Sequence, residues 1–382
     1  MSKRAYKYRF YPTTEQEALL AQTFGCVRFV YNQVLRWRTD AYYERQEKIG
    51  YIKANGKLTE IKQSGEFPWL NDVSSVPLQQ SLRHQQNAYK NFFEGRAKYP
   101  AYKKKSSAQS AEFTRAAFKY KGGCLFIAKN KISLDVRWTR EMPSDPSTIT
   151  ISKDAAGRYF VSCLCEFEPE VLPVTPNTIG IDLGLRHLLI TSEGEKVGNP
   201  RHTRKYANKL AKAQRALSKK KLGSANRAKA KIKVARIHAK IADCRKDLLH
   251  KQSRRLVNDN QVICVETLRV KNMIRNKRLS KSIADVSWGE FTRQLAYKSG
   301  WAGRELVAID QFFPSTKRCS CCGFTLKSIG MNVEHWVCPE CNSEHDRDIN
   351  AAINIKAAGH AVLALGENVN LVSSSSSISC SL

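Results

Sequence analysis

The stretch "CSCCGFTLKSIGMNVEHWVCPEC" holds four cysteines at a spacing that does chemistry: Cys319 and Cys322 form one C-x-x-C, Cys338 and Cys341 another, fifteen residues apart. Two such pairs bring four thiolates around one tetrahedral zinc ion, which saturates it and makes the site structural, not catalytic. Gly323 and Pro339 suit tight knuckles in which backbone amides turn toward sulfur. The competing reading is four incidental thiols. Cys321 is spare, and Cys26, Cys124, Cys163, Cys165, Cys244, Cys264 and Cys380 show no ligand spacing and are expected to pack as small hydrophobes.

Three acids form a second candidate set. In "TIGIDLGLRHLLITS", a strand, tight turn and second strand, period two puts Ile179, Ile181 and Leu183 on one face. Gly180, Asp182 and Gly184 take the other, leaving room for a backbone or phosphate to approach the acid. A solvent-facing strand with a turn aspartate fits the same letters. "DNQVICVETL" reads as a buried parallel strand ending in Glu266, where open α/β sheets place their active sites; a surface glutamate at a strand terminus is the alternative. In "HDRDINAAINI", Asp348 precedes residues at helical spacing that run to a Gly359 stop, so it is expected to be the helix N-cap. Brought beside Asp182 and Glu266, the same carboxylate would complete a hard-oxygen cage for two magnesium ions, which activate a water and bridge a scissile phosphate.

The elements that must position these groups follow from periodicity. Residues 13–100 carry apolar residues at helical spacing, opened by a capping box of Thr13 or Thr14 with Gln16 or Glu17. Residues 101–175 break into short strand candidates, which the N-terminal alternating run can complete. Pro173 and Pro176 in "VLPVTPN" mark a linker, with a new domain beginning near Thr178. "GYIKANGKLT" has five residues between its glycines where a phosphate loop needs four, and Leu58 replaces the hydroxyl residue, so it is excluded. The serine-rich end, 361–382, reads as a disordered tail.

Charge names the partner class. Sixty-four Lys and Arg against thirty-four Asp and Glu leave +30, an excess that phosphates neutralise. Between Arg201 and Arg255 twenty basic residues face only Asp243 and Asp247, yet Leu210, Ala213, Leu217, Val234, Ile237 and Ile241 stay periodic. That predicts two amphipathic helices turning at "KKKLGSAN", a nucleic-acid cradle with Lys219, Lys220, Lys221, Arg227 and Lys229 as contacts. Lys103, Lys104 and Lys105 form a further basic run, and Gln79 and Gln80 could read adenine in a major groove, although a plain helical surface is the favoured reading, since side-chain type alone does not distinguish readout from solvation. No apolar run reaches the roughly 18 residues of a membrane span, and "MSKRAYKYRF" lacks a secretory core, so a cytosolic chain without membrane contact is expected.

Together "GIDLG", "VICVETL", "SWGEFTRQLAYKSGWAG", "FFPSTKRCSCCG" and "HDRDINAAINI", with "FVYNQVL" and "AYKNFF" nearer the start, resemble the TnpB family of transposon-encoded RNA-guided DNA nucleases, compact relatives of the type V CRISPR effectors. The resemblance implies an α+β multidomain chain. It comprises a wedge β-barrel (1–12 and 101–175), a helical recognition lobe (13–100), and a RuvC nuclease of RNase H-like fold (176–311 and 346–360) with a zinc ribbon inserted at 312–345. Carried residue by residue, the catalytic acids are Asp182, Glu266 and Asp348, with magnesium as the catalytic metal and zinc as the structural one. Asp346 stands two places earlier and is expected to point elsewhere. The implied reaction is phosphodiester hydrolysis leaving 5′-phosphate and 3′-hydroxyl ends, guided by an omega-type RNA from the transposon end and cutting double-stranded DNA beside a short adjacent motif. A monomer in the RNA complex, associated with the nucleoid when on DNA, is expected. A catalytically silent RNA-guided regulator and a strand-transferring transposase are the alternatives.

Overall fold

The structure, a computed structural model, describes residues 2–330 and 332–365. They fall into two compact units, 2–168 and 169–365.

The first unit opens with β1 (Ser2–Tyr11), whose alternation buries Tyr6, Tyr8 and Phe10. Thr13 then caps α1 (Thr14–Arg45), with Gln16 as its capping-box partner, so the sequence alternatives reduce to one pair. Helices α2 (Tyr51–Gln63) and α3 (Ser75–Phe93) follow, then strands β2 (Gln109–Thr114), β3 (Phe118–Lys121), β4 (Cys124–Ile127), β5 (Asp135–Arg137), β6 (Thr148–Lys153) and β7 (Tyr159–Phe167). The main sheet is antiparallel in the order β2-β6-β7-β1-β5, with β3–β4 a separate hairpin, so the N-terminal strand does complete it. Among the described residues these strands form an open ladder rather than a closed barrel. Strand and helix residues, Phe10, Val30, Leu78 and Val161 among them, share one apolar core.

The second unit begins earlier than Thr178. Leu172 N–H donates to the Ala302 carbonyl at 3.1 Å and Arg304 donates to the Pro173 carbonyl at 2.9 Å, so the expected linker packs here. Its elements are β8 (Thr178–Asp182), β9 (His187–Thr191), β10 (Lys196–Gly198), α4 (His202–Lys205), α5 (Ala207–Ser218), α6 (Ala225–Asp259), β11 (Val262–Glu266), α7 (Val270–Met273), α8 (Ser280–Val286), α9 (Trp288–Ala302), β12 (Glu305–Ile309), β13 (His335–Val337), β14 (Glu344–Asp346) and α10 (Arg347–Ala364). The sheet order is β10-β9-β8-β11-β12; β8, β11 and β12 run parallel and β9 and β10 antiparallel.

Period two splits this sheet between two covers. Ile179, Ile181, Ile263, Val265 and Ala308 pack with Leu256, Ile283, Phe291 and Leu295 of α6, α8 and α9. Cys264, Val307 and Ile309 pack with Ile355 of α10 on the other face. There the helix lies close: a Cβ added at Gly180 would stand 2.1 Å from the Ala352 carbonyl oxygen, and one at Gly359 2.2 Å from Cys264 Sγ. Gly359 therefore does not stop the helix as expected; it admits Cys264, and α10 continues to Ala364. The proposed tail at 361–382 thus loses its first four residues to that helix, and 366–382 lie outside the described residues.

Candidate active site and metal centre

Asp182 and Glu266 are the last residues of β8 and β11, neighbouring parallel strands paired in register through Ile181 and Val265. Alternation sends both carboxylates to the face covered by α10, whose first turn carries Asp348. The three share one electrostatic environment. Burial first, then the negative charges of Glu266 and Asp348, push the Asp182 carboxyl up to about 8, with the Arg347 guanidinium and the Leu183 amide opposing the rise. Burial also raises Glu266, with the Leu183 backbone opposing the rise as it does at Asp182. The three carboxylates do not all lie within 4.8 Å of one another, a looser set than the cysteines below. Buried carboxylates that resist ionisation are a donor set that a hard divalent cation relieves, so the chemistry of the site fits magnesium.

The helix cap is not Asp348 but Asp346. Asp346 Oδ1 accepts from the amides of Asp348 and Ile349, each at 3.1 Å, while its other oxygen pairs with Lys196 Nζ at 2.5 Å. Burial alone would raise this carboxyl, but Lys196 and the two amides bring it below the ordinary range. Capping needs extended backbone, which Asp346 has at φ −74° and ψ 124° as the end of β14, whereas Asp348 is already helical. Asp348 is thereby left free of capping and accepts from Arg347 Nη2 at 3.0 Å and Nε at 3.1 Å. Lys196 and Arg347 are site residues that sequence reasoning missed. An arginine between two aspartates was a visible signal for one, and nothing in the sequence pointed to the other.

Sγ atoms of Cys319, Cys322, Cys338 and Cys341 gather within 4.8 Å of one another, with Cys319 and Cys338 buried and Cys322 and Cys341 exposed. The Cys322 amide points at Cys319 Sγ, 3.5 Å away, and Gly323 takes φ +81°, the knuckle geometry expected from the spacing. Four soft donors in this cluster fit zinc. Trp336, Leu326 and Ile329 form a small core beside it. Of the other cysteines, Cys26, Cys163, Cys165 and Cys264 are buried as expected, while Cys124 and Cys321 are exposed.

The basic candidates separate. Lys104, Lys105, Lys219, Lys220, Lys221 and Lys229 are exposed. Lys103 instead lies over the Tyr31 ring at 4.4 Å, where burial lowers its pKa. Arg227 closes the turn between α5 and α6, donating to the carbonyls of Leu217 at 3.0 Å and Lys220 at 2.9 Å, so it shapes the cradle rather than reaching out of it. Gln79 and Gln80 are half-buried on α3. The α5–α6 pair encloses a cleft of about 420 Å³ with Ala213 and Ile237 on its floor and Lys209, Lys233 and Arg236 around it. No helix among the described residues is long and apolar enough to cross a membrane.

Residues 162–277 match the family described as "Probable transposase", and residues 288–355 match "Cas12f1-like, TNB domain". Residues 1–47 match "Helix-turn-helix domain", although the segment holds β1 followed by the whole of the single long helix α1. A Streptomyces pristinaespiralis protein named "Putative RNA-guided DNA endonuclease" is 51% identical, over 96% of this chain and 92% of its own. The Escherichia coli K12 protein "Putative RNA-guided DNA endonuclease InsQ" is 35% identical, over 96% and 94%. Among solved structures, the cryo-EM structure of a Cas12f1–sgRNA–target DNA complex superposes with a TM-score of 0.54 over 93% of this chain and 98% of that one, at 14% identity, a likeness of fold alone.

Proposed function

The chain belongs to the TnpB family, and from that membership we propose that it is a transposon-encoded, RNA-guided DNA endonuclease whose acids are Asp182, Glu266 and Asp348. The observation that carries the assignment is the convergence of those three carboxylates on one face of the sheet, where burial and then the charges of Glu266 and Asp348 raise the Asp182 carboxyl, a strain that a bound cation would relieve. The mixed sheet with acids at the ends of adjoining parallel strands supports an RNase H-like, RuvC-type reading of the second unit. The first unit, a sheet and helices on one core, takes the wedge and recognition roles.

Asp182, Glu266 and Asp348 would hold magnesium, which supplies an activated water and charge neutralisation at the scissile phosphate. Around it the chain's own groups keep the carboxylates aimed. The Leu183 backbone favours the charged forms of Asp182 and Glu266, Arg347 holds Asp348, and Asp346, tied to Lys196, fixes the helix start. Arg347 also brings a cation to within bonding distance of Asp348, where a phosphate oxygen can share it. Guide pairing supplies sequence specificity, and the protein grips the duplex through phosphates. The exposed lysines of the α5–α6 turn and of 104–105 serve that grip, and Gln79 and Gln80 are placed on α3 for reading a short motif beside the target. The complex is read as a monomer of protein in the cytoplasm, on the nucleoid when bound to DNA.

The test is purification with the copurifying RNA, sequencing of that RNA, and cleavage of DNA matching its guide in magnesium. Asp182→Ala is expected to keep the RNA and lose cutting; undiminished cutting would refute the assignment. A silent regulator predicts binding without cutting by the unaltered chain, and a transposase predicts joined strands in a transfer assay.

A further inference from the structure

Three buried polar residues around Asp348 have no part in the proposed chemistry: His345, Asn350 and Asn354, 7%, 2% and 4% exposed. All three hold one stretch of the ribbon, the first cysteine knuckle and its approach. His345 Nε2 lies 3.0 Å from Cys319 Sγ, and its ring packs on Trp336 at 4.7 Å between centroids. Asn350 accepts from the Ser320 amide at 2.9 Å and donates to the Arg318 carbonyl at 2.8 Å. Asn354 donates to the carbonyls of Ser315 at 2.9 Å and Arg318 at 2.6 Å.

The chemistry of the first contact is one-directional. A zinc-bound thiolate has lone pairs and no proton, so His345 must donate from Nε2, which fixes its tautomer. Helical geometry adds direction. Asn350 and Asn354 are one turn apart on one side of α10, and at 100° per residue that side lies roughly opposite Asp348. The ribbon thus grips the back of the helix whose front presents the acid, and His345 anchors the strand three residues before it. These bonds exist only while the knuckle is folded, and such a knuckle folds around its metal.

We propose that His345, Asn350 and Asn354 are positioning residues through which zinc loading of the four-cysteine site sets the place of Asp348. The acid's role rests on the function proposed above; the link from zinc to α10 does not. His345 is a donor to the site and not a ligand, although Cys319, Cys321 and His345 also gather within 4.8 Å.

The full-length protein with its RNA is compared with His345→Phe, which keeps a ring on Trp336 and removes the donor, with His345→Gln, which restores one, and with Asn354→Leu. Zinc release to a chromogenic chelator should be several-fold faster in His345→Phe and slowed again in His345→Gln. With cobalt substituted for zinc, the sulfur-to-metal charge-transfer band should move in His345→Phe while the d–d bands stay those of four sulfurs. Hydrogen exchange at the amides of 348–351 should quicken on zinc removal, and in His345→Phe and Asn354→Leu with the metal still bound. Cleavage should lose about tenfold to a hundredfold in kcat with KM for target little changed. Unchanged zinc release and unchanged exchange in His345→Phe overturn the link, and d–d bands that switch from three sulfurs and a nitrogen in the wild type overturn the donor role. If the wild type cuts no DNA, the functional reading fails, while release, spectra and exchange still decide this one.

Discussion

Gly180→Ala perturbs the catalytic geometry from a residue packed against the helix that carries Asp348. Its added Cβ would stand 2.1 Å from the Ala352 carbonyl oxygen, 2.6 Å from the Lys356 amide nitrogen and 2.8 Å from Lys356 Cβ. Two of the three obstacles are backbone atoms, so no side-chain rotation relieves them. Ordinary contact begins near 3.4 Å, so the helix must retreat by about 1.3 Å or the strand must bend, the kind of overpacking that costs about 1–3 kcal/mol. Ala352 is one turn beyond Asp348, so the acid moves with it. A misplacement of about 1 Å can cost on the order of 100-fold in rate. The assay pairs single-turnover cleavage of guide-matched DNA with thermal unfolding and with binding of the same DNA in magnesium-free buffer. The expected result is a lower melting temperature, cleavage slowed about a hundredfold and binding preserved. Gly198→Ala, in the same sheet with nothing within 4 Å of the added carbon, is the control and should change nothing. Cleavage and melting both at wild-type values in Gly180→Ala would refute the close approach and, with it, the account of how α10 is placed.

Asp182 gives a pH signature. The folded carboxyl titrates at about 8, above the ordinary 3.8 of the unfolded chain, so the folded state holds the extra proton and stability falls as pH rises between those values. In magnesium-free buffer, melting temperatures should show Asp182→Asn gaining on the wild type from pH 5 to pH 8; a constant difference across that range would remove the burial and repulsion invoked here. Asp346→Ala should cost about 1 kcal/mol of stability as a lost cap and slow cleavage, with Asp346→Asn largely restoring both, whereas Asp348→Asn should abolish cleavage. Equal losses for the two asparagine variants would put the Asp346 carboxylate into the chemistry. Replacing Lys219, Lys220 and Lys221 together by Ala should weaken DNA and RNA binding regardless of sequence and reduce the log–log salt slope by roughly 0.7–0.9 per lost phosphate contact; an unchanged slope would leave that turn in solvent.

Much of this was legible in the sequence because the signals were local. A C-x-x-C pair is set by knuckle geometry within four residues, alternation in β8 and β11 by the pleat, and the Thr13 and Gln16 cap by one turn of helix. The basic helix pair was readable because the seam residues Ala213 and Ile237 keep period while the charges do not. The errors have a common origin in contacts between distant segments. Gly359 looks like a helix stop until Cys264 is seen against it, and nothing local to Lys103 shows that its ammonium lies over the Tyr31 ring. The linker at Pro173 is held by Ala302 and Arg304, more than a hundred residues away in the chain.

The two aspartates of "HDRDINAAINI" divide the same way. Sequence determined that a helix begins there with an acid to cap it, because the residue types and spacing are those of a helix start. It could not determine which acid, because capping depends on where extended backbone ends, and pairing of β13 with β14 extends the chain through Asp346. Packing against Gly180 and Gly359 then sets that helix on the sheet face bearing Asp182 and Glu266, and the bonds to Ser315, Arg318 and Ser320 tie it to the ribbon. Those are close contacts and hydrogen bonds between segments far apart in the chain, and only the folded structure brings such segments together.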